Sequence, residues 1–268
     1  MQNRIFTFWE PNSTIPMYLE LCMETWEKYL PEYEIVVLNY SNLFEWIEKD
    51  TFDEILYSDF SLPLQSDAIR CAILKKYGGI WFDVDTIVTS NKINEILNIN
   101  SDFTLIGSHI AFIKAIKNCQ ILDKWFEQIS IKIADYKIIK NDYDNMSFLK
   151  RILNKKILKK YKSWDYLGNS ILNKLLEDNM FKTTLIDKYD SKAFPEINWV
   201  NINNKKLKLS KAYRDFYFKN NYSKFALNDN FGIICLHNSW TPIEIKEMSR
   251  KEFLELGNTL SEIFRKIL

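Results

Sequence analysis

A chain of 268 residues, 47% hydrophobic and 26% charged, has the make-up of an ordinary soluble globular protein long enough to bury one sizeable core. Lys plus Arg number 36 against 35 acids, and a net charge of +1 argues against a dedicated nucleic-acid binder, since no global basic excess is available to neutralise phosphates. The four cysteines, Cys22, Cys71, Cys119 and Cys235, show neither a CxxC pair nor metal-like spacing. Their apolar surroundings predict buried free thiols in a reducing compartment.

The opening MQNRIFTFWE lacks the apolar run of a secretory signal, and no apolar run reaches the roughly 18–20 residues of a membrane span. The expected location is the cytoplasm, with attachment to the inner face of the cell membrane left open. RIFTFW (Arg4–Trp9) and EIVVLNY (Glu34–Tyr40) read as short buried strands, and the helical spacing of apolar residues from Ile15 to Leu30 joins them. A helix from about Leu64 to Tyr77 follows Pro63 and stops at Gly78-Gly79. IWFDVDTIV then reads as one strand, with further strands at DFTLIG (Asp102–Gly107) and FGIICLH (Phe231–His237). Residues from Ile121 to Leu176 read as mostly helical, and Ile243 to Leu268 as one amphipathic helix docked on the core.

Within the helical middle, Lys150–Lys162 carries seven Lys/Arg and no acid, while Leu149, Leu153, Ile157 and Tyr161 recur every four residues. A solvated helix packed on the body and a helix lying on an anionic membrane are both compatible with that pattern. The alternation of strands and helices predicts an α/β fold: one domain over residues 1–268, with a mostly helical accessory region at about 120–180.

The chemistry concentrates in YGGIWFDVDT (Tyr77–Thr86), which holds two of only six glycines directly before two aspartates. On a strand, Trp81, Asp83 and Asp85 would share one side, near the C-terminal end where open α/β sheets bind ligands. Paired carboxylates repel unless a cation joins them, and oxygen ligands suit Mg²⁺ or Mn²⁺. On the preceding helix Asp67 and Arg70 share a face, as a structural ion pair or as a pair suited to sugar hydroxyls. Gly78-Gly79 would fold that helix back against the aspartates.

The succession Ser66-Asp67-x-x-Arg70, Leu74, Tyr77-Gly78-Gly79 and Asp83-Val84-Asp85 resembles the DXD-containing sugar transferases of glycosyltransferase family 32, and is similar to the catalytic domain of the large glucosylating toxins. The resemblance is centred on Leu62–Val88. It implies a GT-A fold, a mixed nucleotide-sugar-binding sheet flanked by helices, with a helical insertion and a C-terminal helix. It also implies metal-dependent, retaining transfer of a hexose from a nucleotide-sugar, a UDP-sugar being favoured. The expected acceptor is a growing bacterial surface polysaccharide, as in capsule synthesis, or a lipid-linked oligosaccharide.

By the same resemblance Asp85 binds Mn²⁺ or Mg²⁺, Asp83 contacts the ribose and the metal shell, and Asp67 and Arg70 hold donor-sugar hydroxyls. Phe8 and Trp9 are candidates beside the nucleotide base, with core packing an equal alternative for one of them. LHNSWTP (Leu236–Pro242) is similar to the family's C-terminal metal and diphosphate segment, though it is shorter here. His237 is the favoured further metal ligand, with Asn238 or Ser239 open alternatives; Ser239 and Trp240 are candidates for the β-phosphate. His109, in GSHIAF, is a weaker candidate for the acceptor side. No residue is named as a covalent nucleophile. A nucleotidyltransferase would carry a Gly-rich basic N-terminal loop, and RIFTFWEPNST has no glycine. A non-catalytic sugar-binding scaffold and a protein-glycosylating effector remain as alternatives.

Overall fold

The computed structural model describes residues 3–11, 14–107, 109–154, 156–177, 180–203 and 206–268. Its strands are β1 Arg4–Phe8, β2 Glu34–Leu38, β3 Gly79–Phe82, β4 Thr86–Val88, β5 Phe103–Ile106, β6 His109–Ala115, β7 Thr183–Ile186 and β8 Ile233–Cys235. Six form a mixed sheet in the order β2-β1-β3-β6-β5-β7, and β4 and β8 pair separately. β1 lies parallel to both β2 and β3, while β6 runs antiparallel to β3 and β5. Ile5, Phe6, Thr7 and Phe8 are all buried, as expected for a parallel strand covered on both faces. Because Phe6 pairs with Trp81, β1 and β3 end at one edge of the sheet. This is the mixed α/β sheet flanked by helices that the strand–helix alternation implies.

Helix Met17–Tyr29 follows β1, and helix Leu62–Tyr77 precedes β3 with a proline in its first turn. The second of these buries Leu64, Ile69, Ile73 and Leu74 in the main core, together with Phe6 and Trp81. It ends because Gly78 (φ +67) and Gly79 (φ +102) take up left-handed backbone that other residues rarely adopt. A Cβ on Gly78 would lie 2.5 Å from the Lys117 amide nitrogen, and one on Gly79 2.9 Å from the Arg4 carbonyl oxygen. Both glycines are therefore required twice, for conformation and for space.

Several expectations are corrected. IWFDVDTIV is not one strand: β3 stops at Phe82, Asp83–Asp85 form a turn closed by Thr86 N–H to Asp83 C=O at 2.9 Å, and β4 then joins β8. β6 and β7 were not foreseen; Lys114 inside β6 and the half-exposed TTLI of β7 hide the strand pattern. The stretch after Ile243 is three helices, Ile243–Glu247, Arg250–Glu255 and Thr259–Ile267. A Ser249/Glu252 capping box starts the second, and the third buries Leu260, Ile263, Phe264 and Ile267.

The basic stretch also breaks, into Phe148–Asn154, Lys156–Lys159 and a 3₁₀ turn Lys160–Lys162, with Lys155 outside the described residues. Its apolar row therefore does not keep one face: Leu149 and Leu153 are 72% and 81% exposed, whereas Tyr161 is buried. All four cysteines are free and buried, as their surroundings implied.

Candidate active site

Two clusters meet at the turn between β3 and β4. In the first, Arg70 reaches from its helix to the Asp83 carboxylate (Nη2 to Oδ1, 2.9 Å), to the Ser66 hydroxyl (3.2 Å) and, through Nη1, to the Ile110 carbonyl of β6. Its guanidinium lies over the Trp81 ring, 5.1 Å from the centroid, and the Trp81 indole N–H donates to the same Asp83 oxygen at 3.0 Å. Asp67, one helical turn before Arg70, is 3.6 Å from Nη2. Asp67 and Arg70 are buried, and Asp83 is half-buried.

Burial outweighs the pull of Arg70 and, with repulsion from Asp83 and Asp165, pushes the Asp67 carboxyl up to about 7. Gly168 contributes to that burial, since a Cβ there would fall on the Asp67 carboxylate and the Ile110 side chain. Arg70 Nε is buried without a hydrogen-bond partner in this arrangement.

The second cluster depends on the β4–β8 ribbon. Thr86 pairs with Cys235, so the chain leaving β8 passes Asp85 although the two segments are about 150 positions apart. The Asn238 N–H donates to Asp85 Oδ2 at 2.6 Å, the Leu236 N–H to the Asp85 carbonyl at 3.1 Å, and the Tyr18 hydroxyl to Asn238 Oδ1 at 2.6 Å. Burial and then repulsion from Asp83 hold the Asp85 carboxyl well above the usual carboxylate range, against the Asn238 N–H and the Lys246 charge. Lys246 is half-buried, and desolvation lowers its ammonium while Asp85 raises it.

His237 Nε2 lies 3.7 Å from Glu196 Oε1, and its ring packs on Trp240 at 4.1 Å between centroids. Burial, then the nearby His109, depresses the imidazole to about 4, while burial lifts Glu196 to about 8. His109 opens β6 beside Phe194 (4.4 Å) and 5.9 Å from the His237 ring, so it belongs to this corner. Ser239 is exposed and Trp240 half-buried in the same 3₁₀ turn. Phe8 is a core residue packed edge-on to Tyr40, whereas Trp9 is half-buried and its indole N–H is buried without a partner.

The structure thus brings Asp67, Arg70 and Asp83 together, and Asp85 with Asn238. Among the described residues no three His, Cys, Asp or Glu side chains gather into a metal cage. A Mg²⁺-type ion needs less, since it commonly takes one or two carboxylates and fills its shell with phosphate oxygens and water. The mutually repelling Asp83 and Asp85 fit that demand. Tyr18, Glu196, Gly168 and Lys246 were not singled out from sequence. Tyr18 and Glu196 fall on ordinary helical patterns, and only tertiary neighbours reveal them.

Residues 16–104 match the family model described as a glycosyltransferase sugar-binding region containing the DXD motif. Over 58 residues the chain is 43% identical to lactosylceramide 4-alpha-galactosyltransferase of Mus musculus, covering 21% of this chain and 16% of that protein. The Homo sapiens protein of that name is 38% identical over the same length, with the same two coverages.

Solved structures similar in shape include the UDP-bound glycosyltransferase domain from the YGT toxin (TM-score 0.47, 8% identity, 99% of this chain and 98% of that one). The PaToxG glycosyltransferase gives TM-score 0.43 at 13% identity, covering 99% and 87%. The glycosyltransferase GlyE of Streptococcus pneumoniae TIGR4 gives 0.45 at 11%, covering 99% and 63%.

Proposed function

We propose that the protein transfers a hexose from a nucleoside-diphosphate sugar, with UDP the favoured nucleotide, to a saccharide acceptor. The observation that carries this reading is the turn at the ends of β1 and β3. There the Asp67/Arg70/Asp83 cluster adjoins Asp85 and the His237–Trp240 segment, inside or beside a region that matches a sugar-binding DXD family. The mouse relative's name describes an alpha-galactosyl transfer, which favours a hexose and an alpha linkage here. Retention of configuration is part of the proposal.

Breaking the anomeric bond leaves charge on the diphosphate. Asp85 and Asp83, with His237 or Asn238, would hold Mn²⁺ or Mg²⁺, which neutralises that charge when bound. The chain's own groups bind and orient the donor. Arg70 and Asp67 are assigned to donor hydroxyls, Asp83 to the ribose, Ser239 and Trp240 to the β-phosphate, and Trp9, with Phe8 behind it, to the base. The unpaired Arg70 Nε and Trp9 N–H are buried donors for which a ligand oxygen would be a natural partner.

For the acceptor we propose a growing bacterial surface polysaccharide, as in capsule synthesis, or a lipid-linked oligosaccharide, met in the cytoplasm at the inner membrane face. Residues 120–180 would be the acceptor side of a single GT-A domain. Phe148, Leu149, Leu153 and Trp164, each at least 70% exposed, stand among the lysines of 149–162 and favour contact with an anionic membrane.

A calorimetric screen of UDP- and GDP-sugars with Mn²⁺ tests the donor. At least one UDP-sugar should bind, more weakly after chelation, and product NMR should show the donor's anomeric configuration kept. Binding of none of them would overturn the proposal.

A further inference from the structure

We infer that Glu196 is a positioning residue for His237, holding the Nε2 edge of the imidazole so that Nδ1 is the nitrogen left for a divalent cation. This rests on the proposed metal–diphosphate role of the corner. Glu196 is the second residue of helix Pro195–Ile202 and is 1% exposed. Its Oε2 accepts from the Tyr217 hydroxyl at 3.2 Å. Its Oε1 is buried with no hydrogen-bond partner and lies 3.7 Å from His237 Nε2.

The ring is boxed by aromatic neighbours, Trp240 at 4.1 Å, Tyr213 at 5.5 Å and Phe194 at 5.9 Å between centroids. The 3.7 Å separation is longer than a hydrogen bond, and a rotation of the imidazole within this box would be needed to bring Nε2 into bonding range. A carboxyl with one oxygen anchored and the other unsatisfied gains a partner when Nε2 donates to it. The bond at one ring nitrogen decides which nitrogen keeps a lone pair, and metal-bound histidines are commonly oriented through their far nitrogen by such a carboxylate. Glu196 touches no proposed substrate atom and acts through His237.

Binding of Mn²⁺ to the full chain, read from the electron paramagnetic resonance signal of the free ion, tests this. Glu196→Ala should raise the Mn²⁺ Kd by about 10–100-fold. Glu196→Gln, whose amide oxygen still accepts from Nε2–H, should stay within roughly threefold of wild type. His237→Ala should lose as much as Glu196→Ala, and the double variant no more than either, because the two act as one unit.

Full wild-type affinity in Glu196→Ala while His237→Ala is weakened, or additive losses in the double variant, would overturn the inference and leave His237 as ligand intact. Unchanged affinity in His237→Ala removes the ligand assignment and the inference together, while loss in Asp85→Asn would show the cation site itself to stand. Should Glu196→Ala not fold, nitrogen modulation in the electron spin echo of bound Mn²⁺ decides. It is expected in wild type and Glu196→Gln and not in His237→Ala, and its absence from wild type contradicts the inference.

Discussion

Arg70 ties its own helix to the β3–β4 turn and to β6, because one planar guanidinium satisfies Ser66, Asp83 and the Ile110 carbonyl at once. Lysine is a point charge and cannot reproduce that fork. Arg70→Lys should lower donor turnover by at least about a hundredfold and stability by about 3 kcal/mol, since it breaks a buried charge network. Urea denaturation and nucleoside-diphosphate release measure the two losses.

Asp67 gives a pH signature. Its carboxyl is raised to about 7 in the folded chain against about 3.9 unfolded. The native state therefore holds a proton that the unfolded state has lost between those values. Stability from this group is full below about pH 4 and is lost as pH rises through about 7, on the order of 4 kcal/mol in all. Urea denaturation at pH 5 and pH 8, without metal, should show a smaller fall for Asp67→Asn than for wild type; equal falls would contradict the assignment. Asp67 and Arg70 were legible as candidates because their spacing fixes a shared helix face, and Asp83 and Asp85 because the paired carboxylates follow an aromatic run; the turn that holds the two aspartates was not legible. Glu196 and Tyr18 were not, because a lone acid or tyrosine on a helix carries no sign of its distant partner.

At the scale of elements, the helix Leu62–Tyr77 and β3 meet through Gly78-Gly79, and the glycine signal was readable because few other residues tolerate such backbone. Gly78→Ala should cost about 2–4 kcal/mol, from left-handed strain and a Cβ driven toward the Lys117 amide. A shift in the urea midpoint with an unchanged slope would register it, and an unshifted midpoint would contradict the packing described. The β3–β4 break was hidden for the opposite reason. IWFDVDTIV alternates well enough to be one strand, and only the pairing of β4 with β8 shows that the carboxylates sit on a corner. That corner explains why Asp83 and Asp85 have different partners.

On the scale of the whole molecule, no helix among the described residues is long and apolar enough to cross a membrane. The proposed membrane contact instead relies on a local basic and apolar patch in a chain of net charge +1. Reversing the charge of Lys156, Lys159 and Lys160 should reduce sedimentation with anionic vesicles several-fold and leave donor hydrolysis in solution unchanged. Equal sedimentation of both proteins would dispose of that face.

In the proposed function Asp85 and its neighbours form the diphosphate corner of a sugar transferase. Release of UDP from UDP-hexoses by the purified chain with Mn²⁺, compared between wild type and Asp85→Asn, tests it most directly. Turnover is expected with at least one donor in the wild type, abolished by chelation and reduced at least about a hundredfold in Asp85→Asn. Turnover that Asp85→Asn leaves untouched, or no turnover with any nucleotide-sugar, would contradict it.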